Sequence, residues 1–131
     1  MSRNLGGLPV RPFEVEEART DGVWTLVVKG EVDSSNATQL RDAIRRGVGC
    51  EQVIIDLRSV PFMDSAGLGA LICGIREVRA PGGTATLCVR RGGVKRLIEM
   101  TGFERIVPIA SSPGEARARM DEDSEQALAA S

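Results

Sequence analysis

The chain has 131 residues, and none of them is histidine or tyrosine. Without histidine there is no Ser-His-Asp triad, no imidazole base and no His-ligated metal centre. The three cysteines, Cys50, Cys73 and Cys88, are odd in number and widely spaced. They fit neither a disulfide framework nor a Cys-x-x-Cys zinc site, and Cys50 and Cys88 read as small buried hydrophobes. An excess of either charge is also lacking: 17 Lys and Arg stand against 18 Asp and Glu, a net charge of -1. That balance argues against a nucleic-acid binder working through a basic field. No apolar run reaches the ~18–20 residues that span a bilayer. The stretch "MSRNLGGLPVRP" at the start carries no apolar signal segment. The expectation is a soluble cytoplasmic protein with neither membrane nor nucleic acid as a direct partner. On that expectation the formal glycosylation triplet Asn36-Ala37-Thr38 has no consequence.

What the chain does have is an ordinary globular balance, 42% apolar and 27% charged, enough for one modest core. Residues 1–11 carry Gly, Pro and Arg without periodicity and are expected to form a flexible arm. Strands are expected over 13–20 and 23–32, joined by a hairpin at Asp21-Gly22. Ser34, Ser35 and Asn36 offer N-caps for a helix over 37–48, with Ala37, Leu40, Ile44 and Val48 at helical spacing. Gly47 and Gly49 end it. The run "QVIIDL" (52–57) is apolar except for Asp56, which suits a strand buried on both sides or central in a sheet. A helix over 65–80 is stopped by Pro81-Gly82-Gly83, and a strand follows over 84–89. A helix over 93–100 has Gly102 in the C′ position. Pro108 places a short strand over 105–110 at an edge or a strand end. A last helix starts at 112–120, and the acidic, Ala-rich residues 121–131 are expected to be frayed or disordered. Two strands followed by a β-α-β-α-β-α alternation imply one α/β domain over 12–120. It should hold a single mixed sheet of four to five strands, with about four helices packed on it and right-handed crossovers.

The stretch "VIIDLRSVPFMDSAGLGALICG" (53–74) sets a carboxylate, a serine and two glycines between apolar segments. Asp64 falls at the N-cap of the 65–80 helix, where a carboxylate accepts orphan amides and complements the positive helix end. Ser65 then sits in the first turn. A phosphate there is tolerated locally, so its effect falls on whatever docks, through about -2 of added charge. On a helical wheel Leu68, Leu71, Ile72, Ile75 and Val78 gather on the core side. Ser65, Gly69, Cys73 and Arg76 form a neighbouring stripe, small and smooth at its N-terminal end. Gly67 and Gly69 either let the helix pack closely on its own sheet or leave a flat surface for another backbone. Several catalytic and cofactor motifs fail here. Ile72 replaces the third glycine of a dinucleotide fingerprint, the Gly-Lys-Ser/Thr of a P-loop is absent, and Met63 stands where a nucleophile elbow needs glycine. Ser65 therefore reads as a substrate hydroxyl for another protein's chemistry. Asp33 and Asp64 read as caps at adjacent loop ends rather than a catalytic pair. No catalytic residue, cofactor or metal is expected.

Three stretches together resemble the STAS-domain anti-sigma-factor antagonists of bacterial partner-switching systems, over roughly 12–118. They are Lys29-Gly30-Glu31-Val32-Asp33, "PFMDSAGLGALICG" (61–74) and "RGGVKRLIEMTGFERIVPI" (91–109). The resemblance implies the STAS fold and a regulatory protein rather than an enzyme. It implies that the unphosphorylated form binds an anti-sigma factor that is itself a serine kinase, and so frees a sigma factor. The kinase would phosphorylate Ser65 and release the antagonist, and a phosphoserine phosphatase would reset it. Asp33 matches the Asp of Gly-Glu-x-Asp and is expected near Ser65. The partner-binding surface is expected to comprise Asp33, Asp64, Ser65, Ala66, Gly67, Leu68, Gly69, Cys73 and Arg76. Two departures stand out. Ala66 occupies a position where relatives often carry a second serine, and Cys-Gly-Ile-Arg-Glu (73–77) replaces a more basic, aromatic stretch.

Three other readings remain beside this one. Arg90, Arg91, Lys95 and Arg96 at the start of the third helix form either a solvated face or a nucleotide or phosphate site. Cys73 on the stripe offers a redox switch whose oxidation blocks the partner. The chain could also serve as a STAS subunit of a larger stress-sensing scaffold.

Overall fold

A computed structural model of the protein describes residues 12–130, with side chains over 12–122. The expected arm over 1–11 lies outside the described residues. The hairpin of β1 (Glu14–Thr20) and β2 (Val23–Lys29) is antiparallel and turns at Asp21-Gly22, with φ of 52° and 78°. Positive φ at both turn residues matches the strand twist of a two-residue hairpin loop. β3 (Gln52–Ser59), β4 (Thr84–Cys88) and β5 (Ile109–Ala110) add in parallel, giving the order β1-β2-β3-β4-β5. The connections carry α1 (Ala37–Arg45), α2 (Ser65–Arg79) and α3 (Gly93–Thr101), and α4 (Pro113–Ala130) follows β5. The result is the expected mixed sheet with four helices.

Side-chain alternation along β3 explains its unbroken apolar text. Val53, Ile55 and Leu57 face the larger core with Leu40 and Ile44 of α1, Leu71 and Ile75 of α2, and Ile98 of α3. Ile54 faces the other way, into a smaller cluster with Val23, Cys88, Ala110 and the α4 residues Ala116 and Met120. Helices thus cover β3 on both sides, which removes the need for a polar face. Its one acid, Asp56, is buried, and Arg58 grips it with two bonds of 2.9 Å, Nε to Oδ1 and Nη2 to Oδ2. The backbone amide of Arg58 adds a third donor to Oδ1 at 3.0 Å, so the buried charge is paired and hydrogen-bonded. β1, the outer strand, is exposed and charged along most of its length, a composition that discourages edge-to-edge pairing.

Several boundaries differ from the sequence expectation, each for a local reason. β2 ends at Lys29 rather than residue 32, because its pairing with β3 shifts register between Val27 and Lys29 and Gly30 takes φ 90°. α1 closes at Arg45 rather than 48. The chain then turns so that Gly47 lies under Trp24, where a Cβ would come 2.6 Å from the ring. The expected strand over 105–110 shrinks to two residues. Gly102 in the left-handed region (φ 74°) starts a 3-10 turn, Phe103–Arg105, that plugs Phe103 into the core. Pro108 lacks an amide but still lends its carbonyl to Leu87 at 3.0 Å. α4 runs on as helix to Ala130, through the segment read as a frayed tail. Its alanines, glutamates and glutamine are good helix formers, and helix propensity does not require docking.

Candidate functional site

The site is assembled by two loops that leave the sheet at the same end. After β2 the chain crosses toward α1, and after β3 it climbs toward α2. Val32 and Met63 pair in parallel register between them. The amide of Val32 donates to the carbonyl of Phe62 at 2.9 Å, and the amide of Asp64 donates to the carbonyl of Val32 at 3.1 Å. The amide of Gly30 donates to Ser59 at 3.1 Å just below. These bonds place Asp33 beside the start of α2, because the peptide carbonyl that receives Asp64 is the one joined to Asp33. Sequence reading gave no signal for the Val32–Met63 pair, since both look like ordinary core residues.

Each carboxylate has structural work. Asp64 is the N-cap of α2, and its Oδ1 accepts the amide of Gly67 at 2.9 Å. Asp33 is buried, and its Oδ1 accepts the amide of Ser35 at 2.9 Å and the Ser35 hydroxyl. Asn36 is the N-cap position of α1, yet its side chain makes no cap bond. It turns back into the loop instead. Its Oδ1 takes the Asp33 amide at 3.0 Å and its Nδ2 donates to the Glu31 carbonyl at 3.0 Å. The 31–36 loop is therefore cross-linked by its own polar side chains. Ser65 is exposed on the first residue of α2, and its hydroxyl makes no hydrogen bond among the described residues.

The two glycines that sequence could not separate have different roles. Gly67 is buried. A Cβ there would lie 2.7 Å from Val32 Cγ1, 2.9 Å from Met63 Cγ and 3.1 Å from the Val32 carbonyl oxygen. It permits α2 to close on the paired loops. Gly69 is exposed with nothing within 4 Å of a Cβ position, so it keeps the surface low without serving the fold. Gly74 repeats the close approach farther along, where a Cβ would lie 2.8 Å from Ile44 of α1. Arg41 and Arg45 of α1 also clamp Glu77 of α2, with contacts of 2.8 and 2.7 Å.

Among the residues expected to meet a partner, Ser65, Ala66, Gly69, Cys73 and Arg76 share the outer side of α2. Asp64 is half-buried at its start. Gly67 and Leu68 are buried and face the protein's own core, so they shape the surface from behind. Phe62, not singled out from sequence, is 46% exposed next to the core residue Met63. A large aromatic between a proline and the Asp-Ser pair was the available signal. Of the cysteines, Cys73 is exposed and Cys88 buried, while Cys50 is half-buried with Arg19 Nη2 3.1 Å from its sulfur. Arg90, Arg91 and Arg96 are exposed and Lys95 is half-buried. No helix among the described residues is long and apolar enough to cross a membrane.

Comparison with known proteins agrees with this architecture. The family model described as STAS domain matches residues 14–116. An anti-sigma F factor antagonist of Paenibacillus polymyxa is 31% identical over 101 residues, covering 74% of this chain and 86% of the relative. The crystal structure of an anti-sigma factor antagonist from Mycobacterium paratuberculosis superposes with a TM-score of 0.74 at 26% identity, over 82% of this chain and 93% of that one. The Bacillus cell fate determinant SpoIIAA in its phosphorylated form shares the fold, with a TM-score of 0.62 at 24% identity over 83% and 99% of the two chains. With its sheet order, its paired loops and the capped Asp-Ser helix start all in place, the chain belongs to the STAS-domain family.

Proposed function

We propose that this protein is an anti-sigma-factor antagonist that binds through the outer side of α2 and the two paired loops, and that phosphorylation of Ser65 switches it off. The observation that carries the reading is the exposed Ser65 hydroxyl beside a cap that is already filled. Asp64 occupies the amide of Gly67, so a phosphate on Ser65 would meet a neighbouring carboxylate rather than that amide. It would be driven outward, toward whatever covers the stripe, carrying about -2 of charge. Relatives named as anti-sigma-factor antagonists, and one solved in a phosphorylated form, support the same reading. On this proposal the partner is an anti-sigma factor with serine-kinase activity, binding frees a sigma factor, and a phosphoserine phosphatase restores the unmodified form. The protein itself is a substrate and a binding module, not an enzyme.

The test is a pair of substitutions. Ser65→Ala removes an unbonded exposed hydroxyl and should leave the melting midpoint unchanged, bind the anti-sigma kinase like wild type and accept no phosphate. Ser65→Asp should also fold, since an acid suits the first helical turn. It should bind at least tenfold more weakly, a loss of ~1.4 kcal/mol or more, because an unpaired charge is forced into an interface. Phosphate appearing on another residue, or equal affinity of the Asp and Ala forms, would show that Ser65 is not the switch.

A further inference from the structure

We propose that Asn36 is a positioning residue for the docking surface: its side-chain amide holds the 31–36 loop in the shape that the anti-sigma kinase meets beside Ser65. This rests on the function proposed above and assigns a further residue to it. Asn36 stands at the N-cap position of α1, where an asparagine ordinarily accepts an amide of the first helical turn. It makes no such bond, and its backbone (φ -130°, ψ 5°) lies outside the extended region that a cap residue adopts. Both ends of its side-chain amide turn back along the chain instead. Oδ1 accepts the amide of Asp33 at 3.0 Å, and Nδ2 donates to the carbonyl of Glu31 at 3.0 Å.

The two bonds have different consequences. The one between Asp33 and Asn36 has the spacing of a capping box, and alone it would serve only the start of α1. The one to Glu31 lies upstream of that start and adds nothing to the helix. Together they hold the two peptide units that flank Val32, and each unit is then held from both sides. In the first, the Glu31 carbonyl accepts Asn36 while the Val32 amide donates to the Phe62 carbonyl at 2.9 Å. In the second, the Asp33 amide donates to Asn36 while the Val32 carbonyl accepts the Asp64 amide at 3.1 Å. The carbonyl and amide of a trans peptide point to opposite sides. Asn36 therefore lies on one side of the segment and the loop entering α2 on the other. Its amide, one donor and one acceptor on a single planar group, does for Val32 what a neighbouring strand would do. Asp64, gripped by this segment, caps α2 ahead of Ser65. Ser34 and Ser35 are exposed between the two ends of the Asp33–Asn36 bond, so that bond also fixes where they stand.

Amide hydrogen exchange of the full chain, together with its steady-state phosphorylation by the anti-sigma kinase and ATP, tests the assignment. Wild type, Asn36→Ala and Ile44→Val are compared well below their melting midpoints, so that each is folded. Ile44 is a buried residue of α1, and its shortening loosens the helix from the core side without touching the loop bonds. Asn36→Ala should speed exchange of the Val32 and Asp64 amides about tenfold or more relative to the amides of β3. Its KM as a kinase substrate should rise about tenfold or more with kcat nearly unchanged, because Ser65 itself is untouched. Ile44→Val should lower the melting midpoint and leave both of those readings as in wild type. Undiminished protection of Val32 and Asp64 in Asn36→Ala, a wild-type KM, a loss confined to kcat, or an equal rise of KM in Ile44→Val would overturn the role of Asn36 alone. Wild type left unmodified at Ser65 would overturn the switch reading and this inference with it.

Discussion

Gly67 and Gly69 sit two residues apart, on opposite sides of α2, and answer to different forces. Gly67→Ala drives a methyl group against the Val32 side chain, Met63 and a carbonyl oxygen that cannot swing away. Overpacking of this kind costs about 1–3 kcal/mol, measurable as a lower denaturation midpoint. Gly69→Ala meets open space and should raise helix stability by up to ~1 kcal/mol. If the outer side of α2 is the binding surface proposed above, the added methyl should lower affinity for the anti-sigma partner while stability does not fall. The cysteines divide in the same way. Burial, and then the charge of Asp56, pushes the Cys88 thiol up to about 12. At neutral to mildly alkaline pH an alkylating reagent should therefore label exposed Cys73 first, Cys50 more slowly, and Cys88 only on unfolding. Equal protection of all three thiols would remove Cys73 from the surface and end the redox reading of that residue.

At the scale of elements, α4 shows how a short cap can set a helix against a sheet. Ser112 Oγ accepts the amide of Glu115 at 3.1 Å, and Glu115 reaches back to the amide of Ser111 at 3.0 Å and to its hydroxyl. With Pro113 as first residue, this is close to a capping box. The hydrogen bonds from Ser111, hydroxyl first and amide second, hold the Glu115 carboxyl below its ordinary range. The folded chain then binds that proton less readily than the unfolded chain. The contribution is present above the ordinary carboxylate range and is lost as pH falls through the lowered value. The melting-point advantage of wild type over Glu115→Gln should therefore shrink as pH drops from about 6 to about 3. Farther along, Ala116 and Met120 are the α4 residues in the smaller core. Met120→Ala should cost about 2–5 kcal/mol at most, less where the site collapses. We propose that removal of 121–131 leaves the thermal midpoint nearly unchanged, because Asp121 and Glu122 are exposed. A drop of many degrees would mean that the end of α4 docks.

For the molecule as a whole, the two apolar clusters lie on opposite faces of one sheet and share β2, β3 and β4. Trp24, the sole tryptophan, is buried in the larger one. Thermal unfolding followed by its fluorescence and by far-UV circular dichroism should coincide, as for a single cooperative domain. Helix signal lost ahead of the fluorescence change would show α4 leaving first.

Much of this protein was legible as text. The apolar run of β3, the helical spacing of α1, α2 and α3, the Asp21-Gly22 turn and the cap at Asp64 are local patterns, set within a few residues by sterics, periodicity and hydrogen bonding. They determined the element order, the mixed sheet and the exposed place of Ser65. What local pattern could not decide depended on residues far apart in the chain. Gly67 became a packing glycine only because Val32 lies against it, and Gly69 stayed free because nothing does. Asp33 reached the start of α2 only through the Val32–Met63 pair. Arg58 met Arg90 and Arg91 only because β3 and β4 are neighbours in the sheet. The sequence thus determined which groups were available and which way each element faced. Tertiary structure decided which groups met, because close approach and shared clefts are properties of packed elements and not of the segments that form them.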